Sequence, residues 1–198
     1  MLAAIIVLVV IVAIVVLLGL FLAGMYNGLI RSRVRVNEAW SGVDVQLKRR
    51  ASLIPNLVET VKGYAAHERE VFERVTEARA ALQRAGTAKE AAEANNMMTQ
   101  ALGRLFAVAE AYPQLRASEN FMDLQNELAD TEEKIAFARQ FYNRNVTDFN
   151  ARILVFPSVV IARLMNLQPF DFFEAEEEAR QDVKVSFDTS PPAGAPGP

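Results

Sequence analysis

Between Leu2 and Met25 the chain carries no charged or strongly polar side chain. The run LAAIIVLVVIVAIVVLLGLFLAGM is almost wholly Ile, Val, Leu and Ala. At about 1.5 Å rise per residue it reaches roughly 36 Å, enough to cross a ~30 Å hydrocarbon layer with some tilt. A spanning segment has no water to satisfy its backbone, so it must be helical despite its β-branched residues. The sequence therefore predicts a single-pass anchor over 2–25. A cleavable signal peptide fits less well. Nothing basic precedes the run except the amino terminus, and the run exceeds the ~7–15 residues of a signal core. Leu22 also spoils the small-residue spacing before Ala23 and Gly24. With no cysteine, the chain has no lipoprotein attachment site.

The flanks set the expected orientation. Arg31, Arg33 and Arg35 stand just after the span, and Lys48, Arg49 and Arg50 lie further on. Basic residues beside a span are retained on the cytoplasmic side, which predicts an outside N-terminus and a cytoplasmic domain at the cell membrane. Residues 26–173 are the size of one domain. From 174 the chain is first acidic (EAEEE, Glu174 to Glu178) and then Pro/Gly-rich (DTSPPAGAPGP, from Asp188), which reads as a disordered tail. The net charge of −3, with mixed signs and no basic face interleaved with aromatics, gives no sign of a nucleic-acid partner.

The predicted fold class is all-α: the transmembrane helix, then an antiparallel up-and-down four-helix bundle. One apolar stripe runs from Pro55 through Leu57, Val61, Tyr64, Phe72, Val75 and Ala78 to Leu82, with Gly86 ending that helix. Thr87 and Glu90 form a capping-box pattern that should open the next helix, which Pro113 stops. In the last and longest helix Phe121, Leu128, Ile135, Tyr142 and Phe149 fall seven apart, a coiled-coil-like seam, before the break at Phe156-Pro157. The only alternating pattern is the short VKVSF near the end. The joint RRASLIPNL admits two readings. The apolar spacing stays in phase across Pro55, which suits one kinked helix. Ser52 could instead cap a new helix with Pro55 in its first turn, and this break is preferred because it yields four antiparallel helices. It also returns the apolar segment from Ser158 to Phe173 towards the membrane, to lie on the bilayer or, more simply, to cover the bundle.

Motifs for catalysis are missing. The chain lacks HExxH, GxSxG, GxxxxGK[ST] and a strand-borne GxGxxG, and its single histidine, His67, has Tyr64 rather than Glu three residues before it. No cofactor or metal is expected. Polar residues at unexpected places are more informative: Asp44 near Trp40, the only tryptophan; Arg49 and Arg50; Asn56 and Glu59 after Pro55; and Asn143 and Asn150 beside Tyr142 and Phe149. Taken singly, each reads as an exposed position or a cap. Taken together, they suggest a buried polar network that fixes register, or a recognition surface.

The stretches NEAWSGVDVQLKRRASLIPNLVETVKGYAAHE and ALGRLFAVAEAYPQLRASENFMDLQNELADTEEKIAFARQFYNRNVTDFN, with Phe156-Pro157 and Tyr26-Asn27, resemble the LemA family of bacterial membrane proteins. The resemblance implies a helical bundle with no established catalytic residue or cofactor. It also implies company: membrane-embedded zinc proteases of the heat-shock type, small envelope proteins and, for a divergent relative, magnetosome membranes. The expected function is a membrane-anchored, non-enzymatic adaptor, with Trp40, Asp44, Arg49, Arg50, Asn56 and Glu59 carrying recognition or shaping the joint that does. The alternative is a self-associating scaffold that organises or remodels membrane. An enzyme built on His67 ranks last.

Overall fold

The computed structural model describes residues 1–174. The acidic run beyond Glu174, VKVSF and the Pro/Gly-rich tail lie outside the described residues. Among the described residues there are six helices: α1 (Leu2–Lys62), α2 (Arg69–Arg84), α3 (Ala88–Glu110), the single turn α4 (Pro113–Arg116), α5 (Glu119–Leu154) and α6 (Ser158–Leu164). No strand occurs among the described residues.

The expected break at Ser52 is absent. α1 runs unbroken for 61 residues through Pro55, about 90 Å, so the apolar span and the first helix of the soluble part are one rod. A proline inside a helix removes the N–H that would bond the carbonyl four residues earlier. Here that carbonyl belongs to Ala51, and Arg79 Nε of α2 donates to it at 2.9 Å. Ser52 does not cap a new helix, because its hydroxyl donates back to the carbonyl of Arg49 at 2.7 Å. The orphaned acceptor is thus satisfied from a neighbouring helix, and the in-phase apolar stripe prevails over the local signal for a break.

The chain turns instead at residues 63–68, inside the stretch expected to be one helix from Pro55 to Leu82. Tyr64 and Ala65 N–H both donate to the carbonyl of Val61, at 3.0 and 2.9 Å, which tightens the end of α1. The turn falls where the stripe thins: after the buried Ala65 come Ala66, His67, Glu68, Arg69 and Glu70, with no large apolar side chain to hold a helix down. The α2–α3 connection follows expectation. Thr87 Oγ1 accepts from Glu90 N–H at 3.2 Å, and Glu90 Oε2 accepts from Thr87 and Gly86 N–H.

Contacts fix how the helices pair. Trp40 meets Tyr142, and Arg50 meets Glu132, so α1 and α5 run antiparallel along most of the soluble part. Lys62 lies 5.7 Å over the Phe72 ring while Arg79 reaches Ala51, so α2 folds back antiparallel along α1. The seven-residue seam of α5 is buried at every position from Phe121 to Phe149. The apolar interior falls into two clusters. A span-proximal one, nearer the apolar run of α1, contains Val36, Val43, Leu47, Ile135, Tyr142 and Phe149. A distal one contains Ile54, Leu57, Val75, Met98, Leu105 and Phe121. They meet near residues 50–54 of α1.

If Arg79 is what α1 needs at its proline, the two residues are energetically coupled. Arg79→Met should destabilise the fold by roughly 1–2 kcal/mol, the effect of leaving a buried carbonyl unmet. In a Pro55→Ala background, where residue 55 can bond Ala51 itself, the same substitution should lose most of its effect. A double-mutant cycle on denaturant midpoints in detergent measures the difference.

Candidate functional site

The boundary between the two clusters is polar. Arg50 occupies a stripe position, seven residues from both Val43 and Leu57, and is only 4% exposed. Its guanidinium donates to Asn95 Oδ1 and, at 3.0 Å, to Thr99 Oγ1, both on α3. The same Nη1 lies 2.8 Å from Glu132 Oε2 on α5. Asn95 is itself buried, and Thr99 donates to its backbone carbonyl at 3.1 Å. Thr131, fully buried on α5 next to Glu132, is satisfied within its own helix by donating to the carbonyl of Glu127. Burial holds the Arg50 guanidinium below its ordinary value, and the charge of Glu132 pulls it back up. Arginine remains cationic under any such shift, so what the site needs is the planar fork, which serves several acceptors at once. With Arg79 bonding the next residue, Ala51, all of α1, α2, α3 and α5 meet within two positions of α1.

A second arrangement sits nearer the span. After α6 and the turn at Met165 and Asn166, residues 167–173 run back along α1 and α5 as an extended strap. Asn150 Nδ2 donates to the Phe170 carbonyl while Asn150 Oδ1 accepts from Phe170 N–H, both at 2.9 Å. Asn143, one heptad earlier, does the same with Phe173, again at 2.9 Å for both bonds. Each amide faces a carbonyl and an N–H of one residue, as a neighbouring β-strand would, which fixes its orientation. Phe170 meets Phe149 edge-on at 5.1 Å, and the buried Phe173 sits 6.4 Å from Trp40. Trp40 in turn lies 5.4 Å from Tyr142, whose hydroxyl donates to the Asp171 carbonyl at 2.8 Å. The strap therefore covers the helices, and Trp40 is half-buried beneath it rather than free at the surface.

The other singled-out residues lie outside these arrangements. Asp44 pairs with Lys48 at 2.6 Å, and Arg49 stands 3.8 Å from Asp130, itself held by Lys134. Asn56 is exposed, and Glu59, also exposed, pairs with Lys62 at 3.1 Å. Arg31, Arg33 and Arg35 are exposed on α1 just past the span. His67 is exposed in the α1–α2 turn, and among the described residues no group of three or more His, Cys, Asp or Glu could hold a metal ion.

A surface feature absent from the sequence reading is a groove of about 660 Å³ lined by α1 and α5 alone. Phe137 (73% exposed) and Phe141 stand in it beside Gly42 and Ala138, with Glu38, Asp130, Glu133 and Lys134 around them. Gln46 Oε1, buried in its wall, has no hydrogen-bond partner among the described residues. The visible signal for the groove was FARQF, which gives α5 two phenylalanines outside its seven-residue seam. For the polar layer it was Asn95 standing in phase with Ala91, Met98 and Leu102.

The profile of the LemA family matches residues 39–187, three-quarters of the sequence and every element of the polar layer and the strap. The chain belongs to the LemA family. Protein LemA of Metamycoplasma hominis is 27% identical over 82% of this chain and 75% of its own length. Magnetosome protein MamQ of Magnetospirillum gryphiswaldense is 24% identical, over 75% of this chain and 64% of its own length. MamQ 2 of Paramagnetospirillum magneticum matches to the same extent. Within this LemA-family chain, the two long stretches that resemble the family carry Arg50, Glu132 and the strap's clamps Asn143 and Asn150, whereas Asn95, Thr99 and Arg79 lie between those stretches. None of these relatives carries the name of an enzyme.

Arg50→Ala should destabilise the fold by about 3 kcal/mol, since Asn95 is left buried without its cation. Glu132→Gln, altering a half-exposed partner, should change stability by no more than about 1 kcal/mol. Urea midpoints give both. At the strap, burial and the charge of Asp171 raise the Tyr142 phenol to about 12. A raised value means that the neutral phenol contributes stability, complete below its ordinary value of 10.0 and lost as pH climbs towards 12. Tyr142→Phe should therefore be less stable at neutral pH and show a shallower loss across that alkaline window.

Proposed function

We propose that this LemA-family protein is a membrane-anchored, non-enzymatic adaptor. Its four long helices act as one antiparallel up-and-down bundle, whose outer α1–α5 groove receives a helix of another membrane or envelope protein. The observation that carries this reading is the groove itself. Two exposed phenylalanines stand one turn apart on α5, and the unmet Gln46 carbonyl oxygen waits beside them for a donor. Aromatic side chains on a preformed surface are the usual anchors of protein interfaces. Around the groove Asp130 is paired with Lys134, which leaves Glu38 and Glu133 to favour an occupant with an apolar stripe and basic flanks. Sharing a bilayer raises the effective concentration of the two partners, so a modest contact suffices. A membrane-embedded zinc protease of the heat-shock type fits as such a partner. Arg31, Arg33 and Arg35 support a cytoplasmic domain with the N-terminus outside at the cell membrane.

The alternative occupant is a second copy of the chain, which would make the protein a scaffold that organises membrane. The name of the magnetosome relatives lends that reading its support. In-cell crosslinking followed by purification in mild detergent decides between them. The adaptor reading expects a defined membrane or envelope protein with the parent chain, at least several-fold depleted in a Phe137→Ser, Phe141→Ser variant of unchanged helical content. Recovery of this chain alone, in large assemblies that the double variant dissolves, would replace the adaptor with the scaffold.

A further inference from the structure

A second apolar surface lies at the span end of the bundle, where α5 turns into α6. Leu154, Val155, Phe156, Val160 and Leu164 are all exposed, Phe156 by 82% and Leu164 by 83%. The strap leaves them uncovered, although it packs over the helices beside them. Their position is fixed by the α1–α5 pairing. Continuing the register set by Trp40 with Tyr142 and Arg50 with Glu132 puts Leu154 beside Gly28. Leu29 and Ile153 share the proximal cluster with Ile161 and Ala162, and Met25, the last residue of the apolar span, packs against it. The corner is therefore continuous with the end of the span.

The length of α1 shows which layer this is. From Leu2 to Ile30 the helix carries no charge, and 29 residues at about 1.5 Å each cover roughly 43 Å. That equals the ~40–45 Å of a bilayer with both interfacial regions included, whereas the hydrocarbon alone is ~30 Å. A span inserted to that depth places Gly28, and Leu154 beside it, in the interfacial layer. Charge agrees with this placement. Arg31, Arg33 and Arg35 on α1, Arg152 on α5 and Arg163 on α6 are all exposed around the corner, against the single carboxylate of Asp148 on the last turns of α5. Basic side chains at headgroup level, next to large apolar ones, are the composition of an interfacial anchor.

We infer that the α5–α6 corner is a second membrane contact: Leu154, Val155, Phe156, Val160 and Leu164 enter the interfacial layer of the bilayer that α1 crosses, with the surrounding arginines on anionic headgroups. The soluble helices then hang from the membrane at two places and cannot swing about the end of the span. The α1–α5 groove is presented at a fixed height and direction.

The absence of cysteine makes the test direct, because any introduced thiol is unique. Full-length Phe156→Cys, Leu164→Cys, Val12→Cys and Gln114→Cys proteins, each carrying an environment-sensitive fluorophore, are reconstituted into phosphatidylcholine–phosphatidylglycerol vesicles. Some vesicles contain lipids with a nitroxide high on the acyl chain. Val12, within the span, reports insertion, and Gln114, exposed on α4 among the distal helices, reports water. The labels at 156 and 164 should be quenched by the nitroxide lipid several-fold more than the label at 114, with the label at 12 also quenched. Quenching at 156 and 164 no greater than at 114, while the label at 12 is quenched, overturns the inference. So does shielding of 156 and 164 from aqueous iodide without lipid quenching, which would mean a protein occupies the corner. An unquenched label at 12 overturns the anchor and the corner together.

Discussion

A guanidinium taken out of water has to be met by acceptors around its plane, and Arg50 meets them on two different helices. Asn95 and Thr99 come from α3, and Glu132 comes from α5. The adjacent residue, Ala51, offers the carbonyl that Pro55 cannot bond, and α2 sends Arg79 to it. Apolar packing alone would tolerate a helix sliding by a turn, since one Leu or Val in a stripe resembles the next. A buried cation and an orphaned carbonyl tolerate no such shift, because every displaced partner is a desolvated polar group left unmet. The register of the helices thus depends on this one level of α1. Everything nearer the apolar span, including the strap and the corner, inherits its position from it.

The strap depends on a different device. An extended segment lying on helices has no sheet to pair with, so its backbone groups would normally be left to water. Asn143 and Asn150, one heptad apart on α5, supply a carbonyl and an amide each and stand in for the missing strand. The clamped residues are themselves aromatic, and Phe170 and Phe173 fill the space over Phe149 and Trp40. This closes the proximal end of the soluble part on one side, while the outer side of the α1–α5 pair keeps its groove open.

Much of this was legible in the sequence because periodicity reports burial. The seam from Phe121 to Phe149, the Thr87–Glu90 capping box and the end of α5 before Pro157 all stand where the pattern put them. The joint at Ser52 did not, for a reason outside any local window. A serine three residues before a proline is a good start signal only if the proline's vacated carbonyl stays unmet. Here the donor that meets it lies 28 residues away in sequence. The same limit hid the function of the polar residues. Arg50, Asn143 and Asn150 were conspicuous, but only the fold shows which backbone or side chain each one serves. Asn56, equally conspicuous, is exposed. Phe137 and Phe141 went unnoticed because aromatics on a long helix are expected inside, and only the packing of α5 against α1 turns them outward.

If Arg50 and Ala51 tie the helices into one unit, the segments around them must open together. Native-state hydrogen exchange on the full-length protein in lipid nanodiscs measures this directly. The account predicts that amides near residues 47–58 of α1, 75–82 of α2, 92–102 of α3 and 128–138 of α5 share one opening free energy and one denaturant dependence. Separate opening of α2 and α3, with α1 and α5 still protected at residues 47–58 and 128–138, would contradict it. The polar layer would then be a local contact and not the constraint on which the fold depends.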